Sequence, residues 1–248
     1  MKIFKGWFAV FYREMLIVRH RLPRMLSSMA VAPLLYLLAF GYAMGGDQLV
    51  GGRSYIEFLL PGLLAMSSMI QAFAIAGEIN VARFYWYTFE EFQAAPISSS
   101  AYVLGEVLAG MTRAHLALLL IIGIGFPFGV VLAYGNPLFW SATLLNSFVF
   151  SSLAVGLAMV VKSHADQAML SNFLITPMAF LGGTFFPLER LPLWLQKPLT
   201  LLPLTHASSA IRAALFGEAP GWFPYLLLLA VGLVFFRLAV YLVSRARD

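Results

Sequence analysis

Six long apolar stretches constrain the fold of this chain more than any other feature of its sequence. They cover residues 25–45, 57–79, 101–132, 138–161, 168–187 and 222–243. About 20 apolar residues in a helix, at about 1.5 Å per residue, cross the hydrocarbon of a bilayer. Because a helix satisfies its own backbone hydrogen bonds in lipid, we expect an all-α integral membrane protein with six transmembrane helices.

The composition is also that of a membrane protein. Of the 248 residues, 61% are hydrophobic and 11% are charged, whereas soluble domains carry about 25% charged residues. The chain has no cysteine, which excludes disulfide bonds and thiolate metal sites. The net charge of +5 comes from basic residues that crowd the ends of the apolar stretches, a pattern typical of membrane topology. We therefore expect membrane lipid, and no nucleic acid, as a partner.

The basic residues also predict the orientation of the chain. Six spans place both termini on one side of the membrane. The side of the termini then holds all but four of the 16 lysines and arginines, and the four are Arg53, Arg190, Lys197 and Arg212. Because cytoplasmic loops are enriched in lysine and arginine, both termini are predicted to be cytoplasmic.

Residues 1–22 are too interrupted by charge to cross a membrane, yet their apolar residues recur at helical spacing. We expect an amphipathic helix that lies in the inner headgroup layer. The alternative is a basic leader that only enforces topology. The predicted apolar face carries Phe4, Phe8, Phe11, Met15 and Val18, opposite Lys5, Arg13 and Arg19.

Residues 188–221, between the fifth and sixth spans, form a long external segment. The segment is too apolar for a free loop and too rich in proline for one straight helix. We expect short re-entrant helices that dip into the outer leaflet or cap the bundle. Its prolines are Pro192, Pro198, Pro203 and Pro220.

The sequence lacks the motifs of the common catalytic and metal sites. No stretch matches Gly-x-x-x-x-Gly-Lys-Ser/Thr, so the chain has no phosphate-binding loop and is not expected to be an ATPase or another enzyme. The four histidines show no metal-ligand spacing. The serines at 98–100 lie at a span boundary, where helix capping explains them. We expect neither a metal nor a cofactor in this chain.

Ionisable residues near the spans leave two other functions open. Glu106, Arg113 and His115 share one long apolar segment, and such residues are costly in hydrocarbon unless they are paired or hydrated. They suggest an ion-coupled secondary transporter as the alternative function, but the segment is long enough for its first turns to project into the cytoplasm, and we prefer that interpretation. A membrane-embedded enzyme with Glu57 or Glu78 as base is a weaker alternative, because no second catalytic group accompanies either residue.

Residues 83–96 form an island of charge and aromatic rings between the second and third spans. On the predicted topology they lie in the cytoplasm. A short helix there would expose aromatic rings on more than one face, so one face would need a partner. Composition alone leaves two readings equally open: an aromatic belt at the membrane interface and a docking helix.

Several segments of the chain resemble the ABC-2 type transporter permeases. Residues 88–98 resemble that family's Thr-Leu-Glu-x-Leu-x-x-x-Pro-x-Ser pattern, and residues 54–62 resemble its entry into the second span. Residues 173–188, with Leu191, Pro192, Pro203 and Arg212, are similar to its fifth span and external re-entrant segment. The matches follow the family order over most of the chain. The chain departs from the family just before Thr88, where members often have Arg-Gly and this sequence has Trp86-Tyr87.

The resemblance implies a single permease domain over residues 1–248, in the plasma membrane of a bacterium or archaeon. It implies two separate ATP-binding subunits, which bind the ATP and Mg²⁺, and a second permease copy as either a homodimer or a heterodimer. Members export drugs, lipids, polysaccharides or lipo-oligosaccharides. We expect residues 83–96 to be the cytoplasmic coupling helix, with ATPase contacts at Arg83, Thr88, Glu90, Glu91, Phe92 and Pro96. We expect an outer gate between two permease copies, where glycines allow close approach, at Phe180, Gly182, Gly183, Phe185, Phe186 and Pro187.

Overall fold

The computed structural model describes residues 3–43 and 49–246, and this part of the chain is mostly helical. Three parts of the predictions lie outside these ranges: residues 1–2 of the N-terminal helix, residues 44–45 of the first span, and Arg247. Eleven α-helices are assigned in the described ranges: α1 Ile3–Tyr36, α2 Tyr55–Phe73, α3 Ile75–Phe84, α4 Thr88–Ala94, α5 Ser99–Gly125, α6 Pro137–Val160, α7 His164–Leu170, α8 Thr176–Leu181, α9 Leu193–Leu199, α10 Pro203–Leu215 and α11 Trp222–Arg245.

Short elements extend or connect these helices. Two π-helical stretches, Leu37–Ala43 and Ser171–Ile175, follow α1 and α7, and 3₁₀ turns occupy Phe126–Phe128 and Leu188–Arg190. Strands β1 Leu49–Val50 and β2 Arg53–Ser54 pair antiparallel as a small hairpin before α2.

Within residues 3–43 and 49–246, five helical segments are long and apolar enough to cross a membrane. They are Gly6–Gly41, Tyr55–Phe84, Ser99–Phe128, Pro137–Val160 and Trp222–Arg245. The sixth predicted span, at 168–187, is not confirmed. There the π-helical stretch divides α7 from α8, and α8 ends at Leu181. A turn at Gly182 and Gly183, the latter with a φ of +77°, then redirects the chain.

The predicted helix at 1–22 is not a separate element, because α1 continues through Pro23 into the first span. Its buried positions Val10, Glu14 and Val18 recur every fourth residue, and Phe8, expected on the apolar face, is exposed. This half of α1 packs on α5 at close range. A Cβ on Gly105 would lie 2.7 Å from the backbone oxygen of Trp7. The face of the helix towards the protein therefore agrees with the predicted one in part, because Val18 is buried and Phe11 and Met15 pack against the core.

Helix α2 lies at the centre of the bundle and packs against α5, α6 and α10. A capping box begins it: the Ser54 hydroxyl accepts from the Glu57 amide, and the Glu57 carboxylate accepts from the Ser54 amide. Asn146 of α6 is buried against its middle and donates to the Ala65 carbonyl at 3.1 Å. Helix α11 covers α6 on the outside of the bundle.

The segment 188–221, which we predicted to be external, contains short helices, as its prolines predict. They are the 3₁₀ turn at 188–190, α9 and α10. Helix α10 is not a loose cap, because it is largely buried against α2 and α6. Arg212 of α10 donates to the Gly183 carbonyl at 2.8 Å and so fixes the turn after α8.

Candidate functional site

The island at 83–96 is a turn and a short helix, not the single coupling helix that we expected. Helix α3 ends at Phe84, and α4 begins only at Thr88. The residue between them that breaks the helix is Tyr87, which has a φ of +55° and is the one non-glycine residue with positive φ in the described chain. This left-handed conformation is costly for a residue with a side chain. Tyr87 stands where the family often has glycine, the residue that adopts this conformation without strain.

One face of α4 is anchored to the bundle by aromatic rings. Phe89 is buried, and Phe92 is partly buried. Both rings meet Tyr102 of α5, with centroids 5.6 and 5.5 Å away. The guanidinium of Arg13 lies over the ring of Phe92, 4.6 Å from its centroid. Phe92 was expected to contact an ATPase, but much of its ring is used inside the chain.

Arg83 is also engaged within the chain. Its guanidinium donates to the carbonyl of Ala158 near the end of α6 and lies 5.6 Å from the ring centroid of Phe89. Arg83 therefore joins three elements of the bundle, and its side chain is only partly exposed, whereas those of Glu90 and Glu91 are exposed. Sequence spacing could not show this, because Ala158 is distant along the chain.

The other face of the island is open to the surroundings. Glu90, Glu91 and Pro96 are exposed, while Thr88 is partly buried. The preceding turn exposes Trp86 and Tyr87, with Arg21 of α1 lying 5.8 Å from the centroid of Trp86. Two adjacent carboxylates and two aromatic rings thus form one outward surface at the junction of α3 and α4.

Six charged residues lie beneath this surface, and we call them the charged end: Arg13, Glu14, Arg21, Glu78, Glu106 and Arg113. Arg13 forms ion pairs with its neighbour Glu14 and with Glu106 of α5, the latter at 3.2 Å. The two carboxylates are almost completely buried, with 1% and 0% of their side chains exposed. Glu78 of α3 receives Arg113 of α5 at 3.3 Å and Arg21 of α1 at 3.6 Å. The six residues therefore connect α1, α3 and α5.

The predicted group of Glu106, Arg113 and His115 is divided by these contacts. Glu106 pairs with Arg13, and Arg113 pairs with Glu78. His115 instead bonds the Met111 carbonyl through Nδ1 at 2.7 Å. Since each group is occupied by a different neighbour, the three do not form a shared ion site.

The opposite end of the bundle is held by aromatic residues. This aromatic end consists of Tyr36, Phe40, Phe180 and Phe185. Phe185 is buried at its centre, with the centroids of Tyr36 and Phe40 each 5.1 Å away and that of Phe180 at 5.2 Å. Phe180 keeps an exposed face.

The other predicted gate residues pack within the chain. A Cβ on Gly182 would lie 2.7 Å from Leu204 of α10, and the Gly182 carbonyl accepts from Ser208 at 2.6 Å. Phe186 and Pro187 are partly buried. The close approach that Gly182 and Gly183 allow is therefore to α10 of the same chain, and we had expected it between two copies.

The sequence matches a family model over most of its length. The model for the ABC-2 type transporter matches residues 5–216, a range that contains both ends of the bundle and the island. The chain belongs to the ABC-2 type transporter family. It is thus a multi-pass membrane transport permease, and the resemblance seen in its motifs is confirmed.

Curated relatives of the permease agree with this assignment. Nodulation protein J of Neorhizobium galegae is 31% identical over 227 residues, which cover 86% of the permease and 82% of that protein. The inner membrane transport permease YadH of Escherichia coli (strain K12) is 31% identical over 207 residues, covering 80% of the permease and 79% of YadH. The matches extend over about four fifths of each chain.

Two buried polar residues of the permease, Glu14 and Asn146, were not predicted from its sequence. Glu14 is the first acidic residue of the chain, and the next is Asp47. A lone acid within an arginine-rich helix is a signal that could have identified it as an ion-pair partner. Asn146, which bonds Ala65 and Ser68, gave no such signal, because one amide in a long apolar span has no distinctive pattern.

In the described ranges, no three histidine or acidic side chains are grouped to hold a metal ion.

Proposed function

We propose that the permease is the membrane subunit of an ATP-driven ABC exporter. Two ATP-binding subunits, which carry the ATP and Mg²⁺, would serve this chain and a second permease copy. The exported substrate would be a drug, a lipid, a polysaccharide or a related amphiphile. The observation that carries this proposal is the exposed acidic face of α4, anchored on the bundle of an ABC-2 family chain that has no phosphate-binding loop of its own.

Glu90 and Glu91 are the proposed contacts with the ATP-binding subunit. Carboxylates that are exposed on an anchored helix can pair with basic groups of a partner at little cost in backbone ordering. Thr88 and Pro96 bound the helix, while Phe92 and Arg83 hold the segment in place. The distribution of basic residues supports a cytoplasmic position for this surface and for both termini of the chain.

The charged end offers a route from docking to the spans. Movement of α4 would displace Phe89 and Phe92 against Tyr102, and Arg13 touches both Phe92 and Glu106. Closure of the ATP-binding subunits would therefore press on α1 and α5 together. Two packed arrangements of these helices would then provide access to opposite sides of the membrane.

An apolar cavity of about 320 Å³ is the proposed substrate-lining surface. It lies between the first span, α2 and the α7–α8 segment, and its lining includes Tyr36, Met66, Phe73, Ile175 and Phe180. Most of these residues are aromatic or flexible apolar side chains, which suit an amphiphile. The exposed face of Phe180, next to the aromatic end, is the proposed gate contact with the second copy.

The test is reconstitution of the permease with its ATP-binding subunit in lipid nanodiscs. Replacing both Glu90 and Glu91 by Arg should weaken assembly about 10- to 100-fold, because opposite charges at a contact become like charges. Stimulation of ATP hydrolysis should fall in parallel. The matched control is Glu218→Arg, which reverses an exposed carboxylate far from α4.

Two results would count against the proposal. Unchanged assembly and ATPase stimulation in the double variant would remove the docking role of α4. Transport that continues without any ATP-binding subunit, and stops when the proton gradient is collapsed, would favour an ion-coupled carrier instead.

A further inference from the structure

A second cavity, of about 500 Å³, opens between the β1–β2 hairpin, α10 and the turn after α8. Its size lies within the usual range of small-molecule sites, about 300–1,000 Å³. The walls include the rings of Phe58 and Phe216 and the side chains of Arg53 and Arg212. This cavity is separate from the apolar one beside Phe180, and no role described above uses it.

Each arginine of this cavity stacks on a ring of its wall. The Cζ atom of Arg212 lies 4.0 Å from the centroid of Phe58, and that of Arg53 lies 4.2 Å from the centroid of Phe216. Stacking leaves the N–H donors free around the edge of the planar guanidinium, where they can meet an anion. The rings thus fix the two cations without neutralising them.

Neither guanidinium is neutralised by a carboxylate of the described chain. Among residues 3–43 and 49–246, the ion pairs involve other arginines. Arg212 gives one N–H to Gly183, and its buried Nε has no hydrogen-bond acceptor. Burial lowers the pKa of Arg212 to about 10, opposed by the charge of Glu189, so the guanidinium is still charged at neutral pH. A buried charged donor without an acceptor is costly, which favours an anionic ligand.

Two exposed carboxylates, Glu189 and Glu218, also line the cavity. The four formal charges of the lining therefore cancel. A multiply charged anion would be repelled by the carboxylates as well as attracted by the arginines. A phosphodiester carries one negative charge, and an amine on the same molecule would meet the carboxylates. The apolar walls fit the part of such a molecule that adjoins a hydrocarbon tail.

We propose that this cavity binds the headgroup of an amphiphile in which a phosphodiester is joined to an amine. The phosphate oxygens lie against Arg53 and Arg212, and the ammonium lies towards Glu189 and Glu218. Binding at this site needs no ATP-binding subunit, so its failure would leave the proposed exporter function untouched.

The test is calorimetric titration of the purified permease in detergent with dihexanoylphosphatidylethanolamine. Saturable binding of one molecule per chain is expected. Arg53→Gln and Arg212→Gln should each weaken it about ten-fold, because each removes a charge-assisted contact. Arg190→Gln, which removes an exposed arginine of the same segment that does not line the cavity, should leave it unchanged.

Two further probes separate the sources of the anion. Inorganic phosphate should bind at least about ten-fold more weakly, since it lacks both the amine and the apolar part. Dihexanoylphosphatidylglycerol should bind about three-fold more weakly, and Glu189→Gln combined with Glu218→Gln should abolish this difference. Thermal unfolding checks the fold of each variant, and Arg53→Gln alone decides the outcome if Arg212→Gln does not fold.

Three outcomes would overturn the proposal. Unchanged binding to Arg53→Gln would remove the arginine site. Inorganic phosphate binding as tightly as the lipid would identify a simple anion site, and tighter binding of phosphatidylglycerol would exclude the carboxylates from recognition.

Discussion

The charged end and the aromatic end of the permease both include α1, but they hold it to the rest of the bundle by different means. Glu78 at the charged end lies 23 residues after Tyr55 along α2 and α3, or about 35 Å of helix. Around Glu78, three helices are joined by side-chain ion pairs. Around Tyr55, whose hydroxyl donates to the Phe185 carbonyl at 2.7 Å, the contacts are rings and backbone.

This difference determines how each end can respond to movement. Ion pairs between long side chains can lengthen or exchange partners when the helices shift, and Glu78 already has two arginines in reach. The aromatic end has less freedom, because the backbones of α2 and the turn at 183–185 approach directly at Gly62. We therefore expect the charged end to adapt during a transport cycle while the aromatic end moves as one body.

The largest effect is expected from Arg13→Ala at the charged end. This change leaves Glu14 and Glu106 buried without their cation, at a cost of about 3–5 kcal/mol in the free energy of unfolding. Unfolding in mixed micelles, followed by circular dichroism, measures the loss. Arg19→Ala, which removes an exposed arginine of the same helix, is the control and should change stability by less than about 0.5 kcal/mol.

A second substitution, Glu106→Gln in the Arg13→Ala background, sharpens this result. It removes one of the two uncompensated charges and should restore part of the lost stability. If Arg13→Ala is as stable as Arg19→Ala, the ion pairs at the charged end do not hold the helices, and the comparison fails.

At the aromatic end, Gly62→Ala should cost about 1–3 kcal/mol of stability. The added Cβ would lie 2.8 Å from the Cα of Thr184, and a backbone cannot rotate away as a side chain can. Gly77→Ala is the matched control, because a Cβ there meets nothing within 4 Å. Replacing that helical glycine should stabilise by up to about 1 kcal/mol. Equal effects of the two changes would show that the aromatic end is not tightly packed at backbone level.

A smaller loss, of about 0.5–1.5 kcal/mol, is expected for Phe40→Leu. The change keeps an apolar side chain but removes the ring contact with Phe185. Phe173→Leu is the control, since that ring is 79% exposed. Thermal unfolding of both variants in the same detergent measures the difference. A loss as large in Phe173→Leu would mean that ring contacts do not distinguish the aromatic end.

The smallest effect is a gain, from Tyr87→Gly beside the charged end. Glycine adopts the positive φ of this position without strain, although it also adds freedom to the unfolded chain. The side chain of Tyr87 is exposed, so little packing is lost. We expect an increase of up to about 1 kcal/mol in the free energy of unfolding. A decrease in the free energy of unfolding would show that the ring of Tyr87 makes contacts that stabilise the fold by more than the strain at this position costs.

The elements of this fold were more predictable from the sequence than the contacts between them. Apolar length predicted five of the spans, and Ser98 does begin α5 with its hydroxyl accepting from the Ala101 amide. The sixth span, at 168–187, is not among the five segments long and apolar enough to cross a membrane and stays a prediction. The helix in the predicted docking segment is shorter than expected, Thr88–Ala94, since no spacing rule predicts the left-handed turn at Tyr87.

The site residues divide along the same line. Glu90 and Glu91 are exposed, in agreement with a docking surface, whereas Arg83 and Gly182 were expected at surfaces and contact other parts of the chain. In each case the partner, Ala158 or Leu204, is an ordinary apolar residue far along the sequence. Nothing in the type of such a residue shows what it touches.

The sequence by itself determined that this chain crosses a membrane as helices, and its motifs placed it in the ABC-2 family. These conclusions depend on local quantities, namely apolar length, charge and short patterns. Only the tertiary structure decided which buried charge meets which. Arg13 and Glu106 come together because α1 packs on α5 at Gly105, and helical periodicity defines a face of a helix without naming the helix that will cover it.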